Sequence, residues 1–238
     1  LTPPPVGDWV NENHLKQCGR IVDSDTGPVD PELMRQAQIG YYACISHVDN
    51  QIGRILMALE EQNILQNTVI LFCSDHGELL GDHHTYRKIQ PYQGSIHIPM
   101  ILYNGGLRGC QNDLVELRDV LPTFLELAGA NVLESLDGKS MLHSNNREYL
   151  HGEHSGGNIG NQYIVTKTDK YCWFMESGRE QYFNLATDPK EMHDGIHDPA
   201  YQNRIAVLRN LLIWELDGRE EGYTDGSVLF ANRTQQAV

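Results

Sequence analysis

At 238 residues the chain is long enough to bury a substantial core, in one domain or in a domain with a small appendage. Its 18 basic and 32 acidic side chains give a net charge of −14, with no Lys/Arg cluster to track a phosphate backbone, so nucleic acid is excluded as an expected partner. No run approaches the ~18 apolar residues of a membrane span, and Leu1-Thr2-Pro3-Pro4-Pro5 has neither the charged start nor the apolar centre of a signal peptide.

The proline-rich opening reads as a cut edge, and residues 7–29 are polar and predict loop. Asp30-Pro31-Glu32 supplies an N-cap, a first-turn proline and a first-turn acid, the opening of a helix. Tyr41, Ile45, Val48, Ile52, Ile55, Leu56 and Leu59 recur at spacings of three and four, which predicts one long helix packed on a sheet and ending near Asn63. The apolar run Thr68–Cys73 then predicts a buried strand, and Pro99–Tyr103 a second one that stops at Asn104-Gly105-Gly106. This order predicts an α/β fold with a mostly parallel sheet covered on both faces. Asp113 is positioned to open the next helix, with Leu114, Leu117, Leu121, Phe124, Leu125 and Ala128 as its stripe, Pro122 as a kink and Gly129 as its stop.

Beyond Gly138 the texture changes. Glu148–His151 predicts a short strand, and the glycines from Gly152 to Gly160 a flexible loop. Tyr163–Lys167, Lys170–Met175 and Gln181–Asn184, separated by Thr-Asp and Ser-Gly-Arg-Glu turns, predict an antiparallel meander. A last helix is expected from about Tyr201 to Leu216, with Ile205, Leu208, Leu211, Leu212 and Leu216 inward, followed by a polar tail that is loose or crosses to another subunit. Cys18, Cys44, Cys73, Cys110 and Cys172 are scattered with no C-x-x-C pair, which argues against a disulfide scaffold or a thiolate zinc site. Cys44 and Cys73 lie in apolar elements and read as buried small hydrophobes, a lean toward a reducing compartment that leaves periplasmic or secreted locations open.

The chemistry concentrates where the first strand ends, at Ser74-Asp75-His76-Gly77. Adjacent side chains on a strand point to opposite faces, so Asp75 and His76 reach one cation only if the strand has already ended in a turn, which Gly77 permits. A carboxylate and an imidazole are an incomplete set for any metal, since zinc takes about four ligands and harder cations about six or more. Glu78, Asp82, His83 and His84 follow, and then Lys88, so that metal-binding and anion-binding groups share one short segment. His83 or His84 is a candidate pocket residue, and a pair bonding the loop's own backbone is the alternative. His151, Glu153 and His154 form a second cluster, with His154 the weaker pocket candidate and polar residues satisfying one another as the competing reading.

From Thr68 through Ser74-Asp-His-Gly-Glu-Leu-Leu-Gly-Asp-His83, then Lys88, Pro91-Tyr92-Gln93-Gly94-Ser95 and Ile98-Pro99, the sequence resembles the sulfatase family of the alkaline phosphatase superfamily. The resemblance takes in Tyr41, Asp49 and Gly53 upstream, and Asp119-Val-Leu-Pro-Thr123 and the Tyr182-Phe-Asn-Leu-Ala-Thr-Asp-Pro189 turn downstream, about residues 30–215. It implies an alkaline-phosphatase-like sheet sandwiched by helices, of which residues 1–145 would be the C-terminal part, and a small antiparallel sheet with a packed helix over residues 146–238. It implies that Asp75 and His76 ligate a divalent cation, usually calcium with Mn2+ or Mg2+ as options. It implies that His76 also stands at the ester and that Lys88 binds a sulfate oxygen, with His83 and His154 beside the substrate. His97 stands where the family commonly has Arg and reads as structural.

The family's nucleophile is a formylglycine matured from Cys or Ser in a Cys/Ser-x-Pro/Ala-x-Arg motif, and no cysteine or serine here is followed by that pattern. The family's N-terminal pair of metal-binding aspartates and upstream histidine are likewise not found. The expectation is therefore the C-terminal portion of a sulfuric ester hydrolase, inactive alone, whose partners are a small sulfate ester and the missing N-terminal portion, with oligomerisation open. A phosphonate or phosphate monoester hydrolase of the same superfamily, or a non-catalytic metal- and anion-binding module, are the alternatives.

Overall fold

The computed structural model describes residues 1–17, 27–106, 108–132, 135–154 and 160–232. Cys18, the centre of the glycine loop and the last six residues of the tail lie outside them. The chain forms two compact units, the first from residues 1–3, 29–76 and 98–146, the second from residues 4–28, 77–97 and 147–238. The second unit thus takes in two early segments in addition to everything from Arg147 on.

The second unit opens with a short helix, α1 (Glu12–Gln17). In the first unit α2 (Pro31–Glu61) starts as its sequence predicts: Asp30 Oδ1 accepts from the Glu32 and Leu33 N–H groups at 3.0 and 3.1 Å, and Pro31 occupies the first turn. Asn63, at φ +56°, ends the segment in the left-handed region. β1 (Ile70–Cys73) follows and pairs with β2 (Met100–Tyr103), Ile70 opposite Tyr103 and Cys73 opposite Met100. This pair is antiparallel, so the mostly parallel sheet is not what the described strands form. A parallel return requires a crossover of a dozen or more residues, usually a helix. Residues 77–97, which connect β1 to β2, instead belong to the second unit and contain only a 3₁₀ turn at Asp82–His84 and the four-residue α3 (Gln93–Ile96).

The apolar stripe of α2 is exposed rather than packed on a sheet, Ile45, Val48 and Ile55 among it, and Cys44 is exposed with it. On one face of the β1–β2 pair Phe72, Ile101 and Tyr103 are 40%, 59% and 49% exposed. Periodicity identified an apolar face correctly, and among the described residues nothing buries it. α4 (Val120–Leu127) is shorter than its pattern predicts, because a 3₁₀ turn at Leu117–Asp119 precedes it and Glu116 and Asp119 cap one another's backbone. Pro122 therefore falls in the first turn, where it removes no helical hydrogen bond and makes no kink. Gly129 (φ +67°) and Ala130 donate to Glu126 and Leu125 in a Schellman closure.

The second unit contains the meander. β3 (Leu150–His154), β4 (Asn161–Val165), β5 (Lys170–Phe174) and β6 (Glu180–Phe183) pair antiparallel in sequence order. β3 extends through Gly152–His154, so the expected loop starts later than its glycines suggest. β5 is buried at every position, which requires cover on both faces. One cover is α5 (Gln202–Leu216), whose Ile205, Leu208, Leu212 and Leu216 pack with Ile164, Tyr171, Trp173 and Tyr182. Each such side chain removed from water is worth ~1.5–3 kcal/mol. Arg204 grips Asp169 through Nε and Nη2 at 2.6 and 3.0 Å, and Arg209 forks onto Glu180, fixing α5 along the sheet. Tyr223 sets its ring edge against Trp173, and the Asn232 N–H donates to Met175 O at 2.8 Å, so residues 223–232 dock on the sheet instead of hanging loose.

The other face of β5 carries Lys170, fully buried. Its ammonium pairs with the buried Glu191 carboxylate and donates to Pro91 O, within 6 Å of the Tyr92 and Phe183 rings. Glu191 also accepts from the Gln93 N–H (2.8 Å) and, through its backbone carbonyl, from Trp9 Nε1 (2.7 Å). Trp9, Tyr92 and Phe183 enclose two buried histidines, His14 and His83. Burial, and next the charges of Arg179 for His14 and Lys170 for His83, lower their pKa to about 3 and about 4. The Gly7 N–H donates to His83 Nδ1 at 3.2 Å, which requires a neutral ring. Burial, and then the Glu191 charge, raise Asp82 to about 6.

Two outcomes follow from this core. Glu191→Ala leaves the Lys170 charge buried without its partner and should lower the free energy of unfolding by about 3–5 kcal/mol in urea titrations. His83 has a native pKa depressed below its unfolded value, so its contribution is full above pH ~6.5 and is lost as pH falls toward its native pKa. Relative to His83→Gln, the wild-type protein should lose about 1–2 kcal/mol between pH ~7 and pH ~5, measured as paired urea titrations.

Candidate active site

In the first unit the carboxylate and imidazole are delivered by the end of β1. The strand stops at Cys73, Ser74 Oγ donates to His76 O at 2.6 Å, and Asp75 Oδ1 accepts from the His76 N–H at 2.9 Å. This tight turn defeats strand alternation, and His76 Nε2 lies 3.5 Å from Asp75 Oδ2. The Asp75 side chain is 81% exposed, so this oxygen–nitrogen pair faces solvent side by side. Such donors fit part of the shell of a divalent cation and no more. Among the described residues no group of three or more His, Cys, Asp or Glu side chains is placed to hold a metal.

Lys88 belongs to the second unit, on a loop with unusual backbone geometry. A Cβ on Gly77 would lie 2.0 Å from Gly94 O, so only glycine permits the approach that closes the loop's base. Within the loop Leu80, His83, His84, Arg87 and Ile89 have φ of +47°, +53°, +56°, +64° and +97°. Each left-handed non-glycine residue costs ~1–3 kcal/mol and persists only where its surroundings hold it. Here they do: Leu79 N donates to Arg87 O (2.8 Å), Gly81 N to Thr85 O (3.0 Å), His83 N to Pro5 O (2.8 Å) and Gly27 N to His84 O (2.9 Å). Lys88 stands exposed between two of the strained residues.

The histidines divide by role. His83 is 2% exposed, its ring held by Gly7 N–H and the aromatic cluster, which is the position of a core residue that anchors the loop from below. In the second cluster His151 Nε2 is 2.7 Å from Gln162 Oε1, while Glu153 pairs with Arg219 at 2.9 Å and accepts from Gln162 at 3.0 Å. These two residues are satisfied by Gln162 of β4 and, for Glu153, by Arg219 beyond α5. His154 is half-buried, and burial together with the positive charge of Lys88 lowers its pKa. An ammonium and an imidazole thus share one neighbourhood of the second unit. His97 is exposed at the end of α3.

The structure adds Asn161, which no sequence signal marked, and gives Glu78 a backbone-holding role in place of the metal-binding one its segment suggested. Asn161 sits opposite His154 in the β3–β4 register, is fully buried, and donates from Nδ2 to Ile89 O at 2.9 Å. Glu78 Oε1 accepts from the Leu80 and Arg87 N–H groups at 3.0 and 2.6 Å.

Residues 10–130 match the sulfatase family, and residues 81–216 match the C-terminal family of N-sulphoglucosamine sulphohydrolase. The chain is 44% identical to an arylsulfatase of Clostridium perfringens over 96% of its own length and 50% of that protein's. It superimposes on a sulfatase structure from Bacteroides thetaiotaomicron with a TM-score of 0.78 at 21% identity, covering 97% of this chain and 55% of the other. Phosphonate monoester hydrolase of Agrobacterium radiobacter aligns with a TM-score of 0.64 at 25% identity, over 73% of this chain and 40% of that one. The chain therefore spans about half the length, or less, of the proteins it matches, and it belongs to the sulfatase family.

Proposed function

We propose that this chain is the C-terminal share of an arylsulfatase-like sulfuric ester hydrolase and that it contributes part of the cation and sulfate site. The observation that carries the reading is the 44% identity to an arylsulfatase along 96% of the chain. Asp75 and His76 would hold a divalent cation, Ca2+ first and Mn2+ or Mg2+ as alternatives; such an ion neutralises sulfate charge and polarises the S–O bonds. Lys88, which is exposed, would supply its ammonium to a sulfate oxygen, favouring charge that grows as the ester bond breaks. His154, whose pKa is lowered by burial and by the charge of Lys88, is suited to a hydrogen bond with the substrate. The burial of the His83 ring supports a part in holding the loop instead of contacting the substrate. The nucleophile, a formylglycine, would come from the part of the protein that precedes this chain. That part would also cover the apolar faces of α2 and the β1–β2 pair and complete an alkaline-phosphatase-like sheet, which is supported by the exposure of Ile55, Phe72 and Ile101.

Assays of the intact protein and of this chain test the reading. The 238-residue chain alone should not hydrolyse an aryl sulfate, because its groups act as a unit with the absent ones, and turnover by it would overturn the proposal. In the intact protein Lys88→Ala should lower kcat/KM for the aryl sulfate by about 10²–10³. Chelation should abolish activity, and Asp75→Ala should raise the cation concentration that restores it by at least about tenfold, as even outer-shell changes do. The likeness to phosphonate monoester hydrolase favours one competing reading, and a kcat/KM higher for a phosphonate monoester than for the sulfate would select it.

A further inference from the structure

Lys88 is flanked by two residues whose backbones are strained, Arg87 and Ile89, and on each side a side chain takes up a backbone group. Glu78 Oε1 accepts the Arg87 N–H at 2.6 Å, and Asn161 Nδ2 donates to Ile89 O at 2.9 Å. Ile89 is β-branched with φ +97°, a conformation that an isolated chain would leave at once for the extended region. The two tethers differ in origin. Glu78 belongs to the loop itself, while Asn161 lies in β4, hydrogen-bonded on both edges and directly opposite His154. Asn161 is thus anchored in the most rigid part of the second unit and reaches the segment that must present a flexible lysine.

We propose that Asn161 and Glu78 are positioning residues for Lys88: they hold the peptide groups on either side of it in their left-handed conformations, and Asn161 sets the ammonium beside His154. The proposal rests on the reading of Lys88 as the sulfate ligand. A lysine side chain has four rotatable bonds, so the backbone that carries it has to be fixed if its ammonium is to meet one oxygen. Amide and carboxylate suit the task because one donates to a carbonyl and the other accepts from an N–H, and neither competes with Lys88 for an anionic substrate as a second cation would. Without the tethers, Arg87 and Ile89 relax to ordinary backbone conformations and Lys88 leaves its place.

The test is a double-mutant cycle in the intact enzyme with an aryl sulfate. Asn161→Ala should reduce kcat/KM by about 10- to 100-fold, and in a Lys88→Ala background should cost less than about twofold further. Glu78→Ala should behave alike, and Glu78→Gln, which keeps an acceptor for the Arg87 N–H, should recover most of the loss. Tryptic cleavage after Arg87 and Lys88 under native conditions, located by mass spectrometry, should speed up in N161A and E78A. A loss from N161A that persists undiminished in the K88A background, or no loss at all, overturns the positioning role and leaves Lys88's own role standing. A silent K88A overturns the reading of Lys88 instead; the tether is then decided by trypsin, and unchanged cleavage in N161A removes it too. If N161A fails to fold, the contrast between E78A and E78Q decides the matter, equal activities counting against the proposal.

Discussion

The buried pairing of Lys170 with Glu191 is the constraint on which the second unit depends. Taking two charges out of water costs several kcal/mol per ion, and attraction alone does not reliably repay it. Here additional partners do: Lys170 also donates to Pro91 O, and Glu191 accepts from the Gln93 N–H. Segments far apart in sequence are fastened by these bonds, namely β5, the turn at Glu191 and the Pro91–Gln93 end of the loop that carries Lys88. Trp9 closes the arrangement by donating to the Glu191 carbonyl, which explains why the N-terminal segment belongs with the C-terminal half of the chain. Apolar contacts would hold these segments together, but they would not specify so narrowly which atoms meet.

Stability and strain are distributed accordingly. The loop between Gly77 and His97 contains five non-glycine residues with positive φ, and its total strain would exceed what a solvent-exposed loop could retain. It is retained because one end is fixed by the ion pair and the other by the close approach of Gly77 to Gly94, with His83 seated in the aromatic cluster between them. Under the proposed role of Lys88 such a loop has a use: a cation that is to meet a charge developing on one oxygen serves best if it is already in place.

The first unit shows the opposite balance. Its helices and strands have sound local logic, with caps, closures and apolar faces, and yet those faces remain exposed. Its single concentration of chemistry, Asp75 beside His76, is a pair where a cation demands a fuller set. Together with the coverage of about half of an arylsulfatase, this supports the proposal that the unit is one wall of a larger structure.

Local order in the sequence was enough for the elements whose causes are local. The Asp30-Pro31 cap, the meander spacings, the inward stripe of α5 and the strand that breaks at Ser74-Asp75-His76 depend on residues close together in the chain, so that propensity, capping and alternation report them directly. Resemblance in the same segments carried the family. Strand direction was not legible, because a strand's pattern is the same whichever way its neighbour runs, and residues 77–97 departed to the second unit where a crossover was expected. Burial was legible only as capacity: the stripe of α2 is apolar but uncovered, while Lys170, of a type almost never fully buried unless paired, lies wholly inside. The partners of the Lys88 loop, Asn161, Glu191 and Trp9, are ordinary residues in sequence, and tertiary structure alone decided their roles. A hydrogen bond across 72 positions leaves no trace in local periodicity, whereas the strained conformation it holds exists only once both ends have been brought together.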